Sequence, residues 1–134
     1  MQENTIQSNS EIKEMIYYLP QEFGQREVLA EGKYNGLEYK IISFHSHPCA
    51  YICIPSGKKI NVDNIECHGG ITYDSDELLV DDWKTIKGHW IGWDYSHIGD
   101  YYALLPRLGG KQWKTEEILN EVKEIINQIN EELS

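Results

Sequence analysis

Cysteine is scarce in this chain, and its three copies are an odd number. An odd count in a chain without secretory features argues against a framework of disulfides. Cys49 and Cys53 are separated by three residues, and no second cysteine pair follows them. A structural zinc site normally needs four ligands, so we expect Cys49, Cys53 and Cys67 to be buried free thiols.

Basic residues and long apolar runs are also few. The chain has 12 Lys and Arg against 22 Asp and Glu, a net charge of −10. Proteins bind nucleic acid by neutralising its phosphates, so we expect no nucleic-acid partner. No apolar run approaches the ~20 residues needed to cross a bilayer, so no membrane partner is expected. Residues 1–5 lack the basic and then apolar order of a signal peptide, which predicts a cytoplasmic protein.

The acidic surplus has two interpretations. It can simply keep the protein soluble, or it can form a face that imitates DNA and blocks a partner. The acidic residues are spread over residues 74–77, residues 81–82, the N-terminal segment and the last helix. This scatter favours solubility over a single acidic face.

The length of 134 residues suits one domain with one hydrophobic core. We predict an α+β fold, with an antiparallel sheet of about four to five strands and a long C-terminal helix packed on one face. Residues 1–24 form a polar N-terminal segment with a short helix over 11–19, and residues 26–94 form the sheet. Residues 95–112 form a loop, and residues 114–133 form the helix.

The strands are predicted from turn residues and alternation. Asn35-Gly36 lies between two extended runs, which is a strong hairpin signal. A second hairpin is expected to turn at residues 46–48 and to return over residues 50–54. Residues 66–73 are predicted to form a further strand, residues 74–87 an exposed acidic excursion, and residues 89–94 the next strand.

The C-terminal helix has a regular apolar stripe. Thr115 is expected to cap it, with Glu116 and Glu117 in the first turn, where the helix dipole favours negative charge. The stripe consists of Ile118, Val122, Ile125, Ile126, Ile129 and Leu133. Side chains expected to face solvent are Glu121, Lys123, Glu124 and Glu131.

Four ionisable side chains fall within two short segments rich in glycine and aromatic residues. They are His68, Asp94, His97 and Asp100. Two imidazoles and two carboxylates are compatible with a divalent-metal site, an acid–base pair, a buried structural network or a polar ligand pocket. Because no H-E-x-x-H or comparable metal motif is present, we predict no metal and no cofactor.

Other residues near these four would serve ligand recognition. Tyr73 and Tyr95 adjoin the polar positions and would stack on a flat ligand. Gly69-Gly70 lacks the spacing of a phosphate loop, but its amides, together with Arg107, would meet a phosphate. His45 and His47 precede Pro48 and are expected to be exposed in a turn.

Three segments together resemble a family of small proteins from phages and prophages. Residues 68–73 match H-G-G-[ILV]-T-[YF], residues 90–100 match W-x-G-[FW]-D-x-x-H-x-G-D, and residues 51–57 match Y-[VI]-x-[VI]-P-x-G. The chain departs from the family pattern at Trp93, where Phe is common. The resemblance implies a phage-related origin, a location in the host cytoplasm and a small α+β fold, but no particular activity.

The leading hypothesis is therefore a small-ligand-binding protein. By analogy with other small phage proteins, it would act against host defence by sequestering a nucleotide-derived immune signal. The expected ligand-binding residues are His68, Gly69, Gly70, Tyr73, Asp94, Tyr95, His97, Asp100 and Arg107. One alternative is a metal-assisted hydrolase that uses His68, Asp94, His97 and Asp100. Another is an acidic partner-blocking or DNA-mimic protein. The apolar helix and the aromatic residues predict a homodimer or higher homo-oligomer.

Overall fold

The fold is given by a computed structural model that describes residues 26–44, 47–81, 84–97, 99–101 and 105–133. The expected N-terminal segment 1–24, with its helix over 11–19, lies outside the described residues, as does His45. All statements below concern the described part of the chain.

The described residues form a five-stranded antiparallel sheet and one long helix, which confirms the predicted α+β fold. The strands are β1 (Glu27–Tyr34), β2 (Leu37–Ser43), β3 (Pro48–Ile54), β4 (Tyr73–Leu79) and β5 (Thr85–Asp94). Their order across the sheet is β1-β2-β3-β5-β4, so β5 lies in the interior and β4 at an edge.

The first hairpin forms as the sequence predicts. Asn35 and Gly36 have φ values of 47° and 87°, which suit a tight turn between antiparallel strands. Tyr34 pairs with Leu37 on either side of this turn. The second hairpin joins β2 to β3, and the amide of Phe44 donates to the carbonyl of His47 across the turn. Strand β3 starts at Pro48, two residues earlier than expected.

The strand predicted over residues 66–73 does not form, and this prediction was wrong. Gly69 and Gly70 both have positive φ, which breaks an extended run. The first half of this segment bonds to the helix Thr115–Leu133, whereas near its end the Thr72 amide donates to the Gly92 carbonyl of β5 at 2.9 Å. The Glu66 amide donates to Gln128 Oε1 at 3.0 Å, Gln128 Nε2 donates back to the Glu66 carbonyl at 3.0 Å, and the His68 amide donates to Glu121 Oε2 at 2.9 Å.

The acidic excursion expected over residues 74–87 is also corrected. Residues 73–79 form edge strand β4, which pairs with β5 from Tyr73 opposite Gly92 to Leu79 opposite Thr85. Asp74, Asp76 and Glu77 remain exposed on this edge. Charged side chains on an edge strand discourage pairing with another chain, so acidity and strand structure are compatible here.

Helix α1 (Thr115–Leu133) crosses one face of the sheet, as predicted. Five members of its apolar stripe are buried, namely Ile118, Val122, Ile125, Ile126 and Ile129. They pack against alternate residues of the central strands, among them Ile41, Ile52 and Trp93. Thr115 is the first helical residue rather than the cap, and Glu117 accepts a hydrogen bond from the amide of Lys114. In the described chain, no helix has the length and apolar character that membrane crossing requires.

The opposite face of the sheet has a second, smaller apolar cluster. Its buried members are Ile42, Cys49, Tyr51, Leu78, Val80 and Trp90. Trp90 therefore faces away from Ile91 and Trp93, as strand alternation predicts. All three cysteines are free thiols, as predicted, but only Cys49 is buried, while Cys53 and Cys67 are partly buried.

The described part of residues 95–112 forms no long helix, and the amide of Tyr95 at its start donates to the Pro48 carbonyl of β3 at 3.1 Å. It contains a short 3-10 helix, Pro106–Leu108, and a single bridge between Asp100 and Lys111. This loop leaves the end of β5 and returns to the start of helix α1, so it lies where the candidate site is expected.

Candidate functional site

The four ionisable side chains lie together beyond the end of β5 and form two pairs. His68 Nε2 is 2.7 Å from Asp100 Oδ2, and His97 Nε2 is 3.1 Å from Asp94 Oδ1. The two imidazole rings meet edge to face, with centroids 5.7 Å apart. The sequence analysis gave these four residues as one group, and the structure pairs His68 with Asp100 and His97 with Asp94.

Asp100 is the most buried of the four, with only 3% of its side chain exposed. It accepts hydrogen bonds from three parts of the chain: His68 Nε2, the amide of His97 at 3.0 Å, and Trp113 Nε1 at 2.8 Å. Burial raises the pKa of Asp100, but the bonds from His68, His97 and Trp113 outweigh it and hold that pKa below its usual value. Because an ionised carboxylate can only accept, His68 carries its proton on Nε2.

Asp94 is also held in the ionised form. Ser96 donates its amide and its hydroxyl to Asp94 Oδ1, at 3.2 and 2.8 Å, and Thr72 donates its hydroxyl to Oδ2 at 3.2 Å. Burial raises the pKa of Asp94, but the bonds from Ser96, the neighbouring His97 and the bond from Thr72 lower it more. The His97 Nε2 atom is buried beside Asp94 without the alignment of a hydrogen bond.

Tyr95 forms the wall behind His68 and does not face a ligand. It is 0% exposed, and its ring stacks on the His68 imidazole with centroids 4.7 Å apart. Its hydroxyl accepts from Trp93 Nε1 at 3.0 Å and donates to Glu121 Oε1. Burial, together with the bond to Glu121, raises the pKa of Tyr95. The expected stacking of Tyr95 on a ligand is thus blocked in this conformation.

Tyr73 is the first residue of strand β4 and lies opposite Gly92 of β5. Its ring packs edge to face on Tyr51, with centroids 5.2 Å apart, in the cluster on the face of the sheet away from helix α1. Its hydroxyl donates to the Glu77 carbonyl within strand β4. The role of Tyr73 in ligand binding stays a prediction: the neighbouring Thr72 bonds to Asp94, while the ring of Tyr73 itself packs on Tyr51.

Two important residues were missed at the sequence level. Trp113 bonds to Asp100 and packs edge to face on His68, with centroids 5.0 Å apart. Glu121 accepts from both the His68 amide and Tyr95, although it was expected to face solvent. One signal was available: Glu121 lies three residues after Ile118 and four before Ile125, on the border of the buried stripe.

Gly69 has a steric role rather than a phosphate-binding one. Its φ is +73°, and a Cβ at this position would lie 2.0 Å from His97 Nε2. The backbone of the His68 turn therefore approaches the His97 ring more closely than any side chain would allow. Gly70 also has positive φ, at +81°, but a Cβ there would meet nothing within 4 Å.

A cavity of about 550 Å³ opens beside His97. Besides two glycines, its walls are formed by His47, Ser96, His97, Asp100, Leu105 and Leu108. His47 was expected to be exposed, but it is half-buried and packs on Phe44, with ring centroids 5.7 Å apart. Burial lowers the pKa of His47, more than the neighbouring Asp94 raises it, and His97 lowers it further. We call this cavity the histidine pocket.

The cations nearest in sequence do not line the histidine pocket. Arg107 is exposed in the 3-10 helix between Leu105 and Leu108, which do line it. Lys111 is engaged elsewhere: its Nζ is 3.0 Å from Glu117 Oε2 and 4.1 Å from the centroid of the Trp113 ring. The predicted phosphate contact through Gly69, Gly70 and Arg107 thus has no support from this arrangement.

The same residues do not form a metal site in the described chain. No three side chains of His, Cys, Asp or Glu converge as metal ligands among residues 26–44, 47–81, 84–97, 99–101 and 105–133. Each imidazole instead faces one carboxylate, and both carboxylates are largely occupied by donors from the chain.

Comparison with known proteins finds no matching family model, no matching curated protein and no matching solved structure. The resemblance to small phage proteins accordingly remains a prediction, and functional argument for this chain depends on the site itself.

We expect replacement of Asp100 by Asn to lower the free energy of unfolding by ~2–3 kcal/mol at pH 7, because a buried charged acceptor of three hydrogen bonds is lost. The matched control is Asp74→Asn, since Asp74 also lies 2.7 Å from a histidine, His89, but on the exposed edge. It should cost less than ~1 kcal/mol. Urea unfolding measures both variants, and equal losses would contradict the structural role of Asp100.

The lowered pKa of Asp100 also predicts how the stability difference between the wild type and Asp100→Asn depends on pH. The folded-state pKa of Asp100 is lowered, so its contribution is complete above the unfolded value, near ~3.9, and disappears as pH falls through the folded pKa. The difference in unfolding free energy between the wild type and Asp100→Asn should therefore shrink in acid. A difference that stays constant from pH 7 to pH 3 would be inconsistent with an ionised Asp100.

Gly69→Ala and Gly70→Ala form a second matched pair. Both variants force a side chain into the left-handed region, at a cost of ~1–2 kcal/mol, but only Gly69→Ala also collides with His97. We expect Gly69→Ala to lose more stability and to shift the His97 ring signals in NMR spectra. Equal stabilities, with unchanged His97 signals in both variants, would show that the close approach is unimportant.

Proposed function

We propose that this protein binds a small molecule in the histidine pocket. The observation that supports it most is the pocket itself: a cavity of about 550 Å³ next to two histidines, with leucines on its walls. Cavities of ~300–1,000 Å³ that combine apolar walls with a few polar groups are typical of small-ligand sites.

The leucines strengthen the proposal because they are exposed. Leu105 and Leu108 are 54% and 76% exposed, the two highest values among the large hydrophobic side chains of the described chain. Exposed apolar groups that gather around a cavity mark a surface that something covers. A ligand that covered Leu108 would remove apolar area from water at ~25 cal/mol per Å².

The polar residues in and beside the pocket suit ligand binding better than catalysis. Asp100 and Asp94 are already bound by donors from the chain, so neither is poised to take a proton from a substrate. The hydroxyl of Ser96 donates to Asp94 rather than to an imidazole, and burial raises the pKa of the Cys67 thiol to about 12. Neither side chain is activated as a nucleophile.

This fixed network would keep His97 and Asp100 in one geometry before a ligand arrives. Preorganised groups lose little conformational entropy on binding, which increases affinity. Whether the ligand is a nucleotide-derived immune signal, with the anti-defence role that would follow from it, is one outcome of the experiment below. The homodimer is likewise a prediction.

The test is equilibrium dialysis of the purified protein against a defined mixture of nucleotides, cyclic nucleotides, amines and small organic acids. The protein is then heated, and the released molecules are analysed by mass spectrometry. We expect the wild type to retain at least one compound, and Leu108→Ser to retain it about tenfold less. Leu29→Ser is the matched control, because Leu29 is exposed on β1, outside the pocket walls.

Two outcomes would overturn binding at this site. One is that no compound is retained, and the other is that Leu108→Ser and Leu29→Ser retain it equally. Release of a chemically altered compound would replace the binding function by an enzymatic one. Retention of an intact nucleotide signal would support the sequestration hypothesis specifically.

A further inference from the structure

The charges around the histidine pocket indicate what its ligand carries. Among the described residues that form its walls there is no Lys or Arg, and the one formally charged side chain is Asp100. Asp94 adds a second carboxylate, directly behind the wall residues Ser96 and His97. With histidines counted as neutral, the described walls and the Asp94 carboxylate behind them therefore carry a net negative charge.

Both of these carboxylates are ionised near neutral pH. Hydrogen bonds outweigh burial and lower the pKa of both Asp94 and Asp100, so each is charged. Burial lowers the pKa of His47 below its ordinary value, so this imidazole is neutral at pH 7 and serves as a hydrogen-bonding group. A phosphate or carboxylate entering the pocket would meet two like charges.

The walls also require an apolar part in the ligand. Leu105 and Leu108 can be covered only by a group that has hydrocarbon surface of its own. A strongly hydrated inorganic cation would leave both leucines exposed to water.

We propose that the histidine pocket binds a small organic cation, namely an amine whose ammonium lies toward Asp94 and Asp100 and whose aliphatic chain covers Leu105 and Leu108. This inference rests on the proposed binding function and specifies its ligand class. The ammonium is attracted by the charges of the two carboxylates, whose hydrogen bonds to the chain stay in place. The net charge of −10 would increase the rate at which such a cation arrives.

The experiment compares three probes of similar shape and different charge: hexylamine, hexanol and hexanoate. Each is titrated into the isotopically labelled full chain at pH 7, and the amide signals of Ser96, His97 and Gly99 are followed by NMR. We expect hexylamine to bind at least tenfold more tightly than hexanol, and hexanoate to cause no saturable shift. The affinity for hexylamine should fall as salt is added.

A pair of variants with the same change in net charge tests the role of the carboxylates. Asp94→Asn should weaken hexylamine binding about fivefold to tenfold, whereas Asp74→Asn should leave it within twofold, because Asp74 bonds to His89 on the edge of β4. Unchanged amide spectra away from the site establish that each variant is folded.

The outcomes separate this inference from the function on which it rests. If hexanol or hexanoate binds as well as hexylamine and Leu108→Ser weakens that binding, the pocket is a ligand site and the cation inference is overturned. If Asp94→Asn and Asp74→Asn have equal effects on hexylamine, the inference is also overturned. If no probe shifts the pocket amides and dialysis retains nothing, both proposals fail.

Discussion

The carboxylate of Asp100 is the interaction on which the arrangement of the site depends. It joins its own loop to two other parts of the chain, through the His97 amide three residues away, His68 and Trp113. Each donor would otherwise need another partner, since a buried unpaired polar group costs ~1–3 kcal/mol. The described residues of the loop after β5 have little regular secondary structure. The hydrogen bonds that Asp100 accepts therefore hold much of this part of the loop in place. In this way Asp100 positions the described pocket wall at His97.

The parts of the fold that the sequence predicted are those with local, periodic signals. Asn35-Gly36 needs positive φ, and the isoleucines of helix α1 repeat at helical spacing, so neither depends on distant partners. Strand β4 escaped prediction because its acidic residues are typical of a loop. An edge strand tolerates them, since one side of its backbone has no neighbouring strand.

The site was predicted as a group of residues but not as a geometry. The sequence brought His68, Asp94, His97 and Asp100 together because they flank the same segments, and the structure places them together. It did not reveal the pairing, because pairing depends on how two irregular loops fold back on one another. His47, Trp113 and Glu121 entered the site through tertiary contacts alone, although the border position of Glu121 on the helix was a usable signal.

Side chains on one flank of helix α1 bond to the backbone of the His68 segment, as the backbone of a neighbouring strand would. Gln128 bonds to both the amide and the carbonyl of Glu66, as an antiparallel neighbour would, and Glu121 continues this two turns earlier with the His68 amide. Glu121 and Gln128 are seven residues apart, so their positions are ~10.5 Å apart along the helix axis. This spacing differs from that of the hydrogen bonds between two strands. The positions of Glu121 and Gln128 on the helix therefore fix the position of the His68 segment along the helix axis. A slip of the helix by one residue would carry the segment ~1.5 Å along its axis, and with it the imidazole that Asp100 holds.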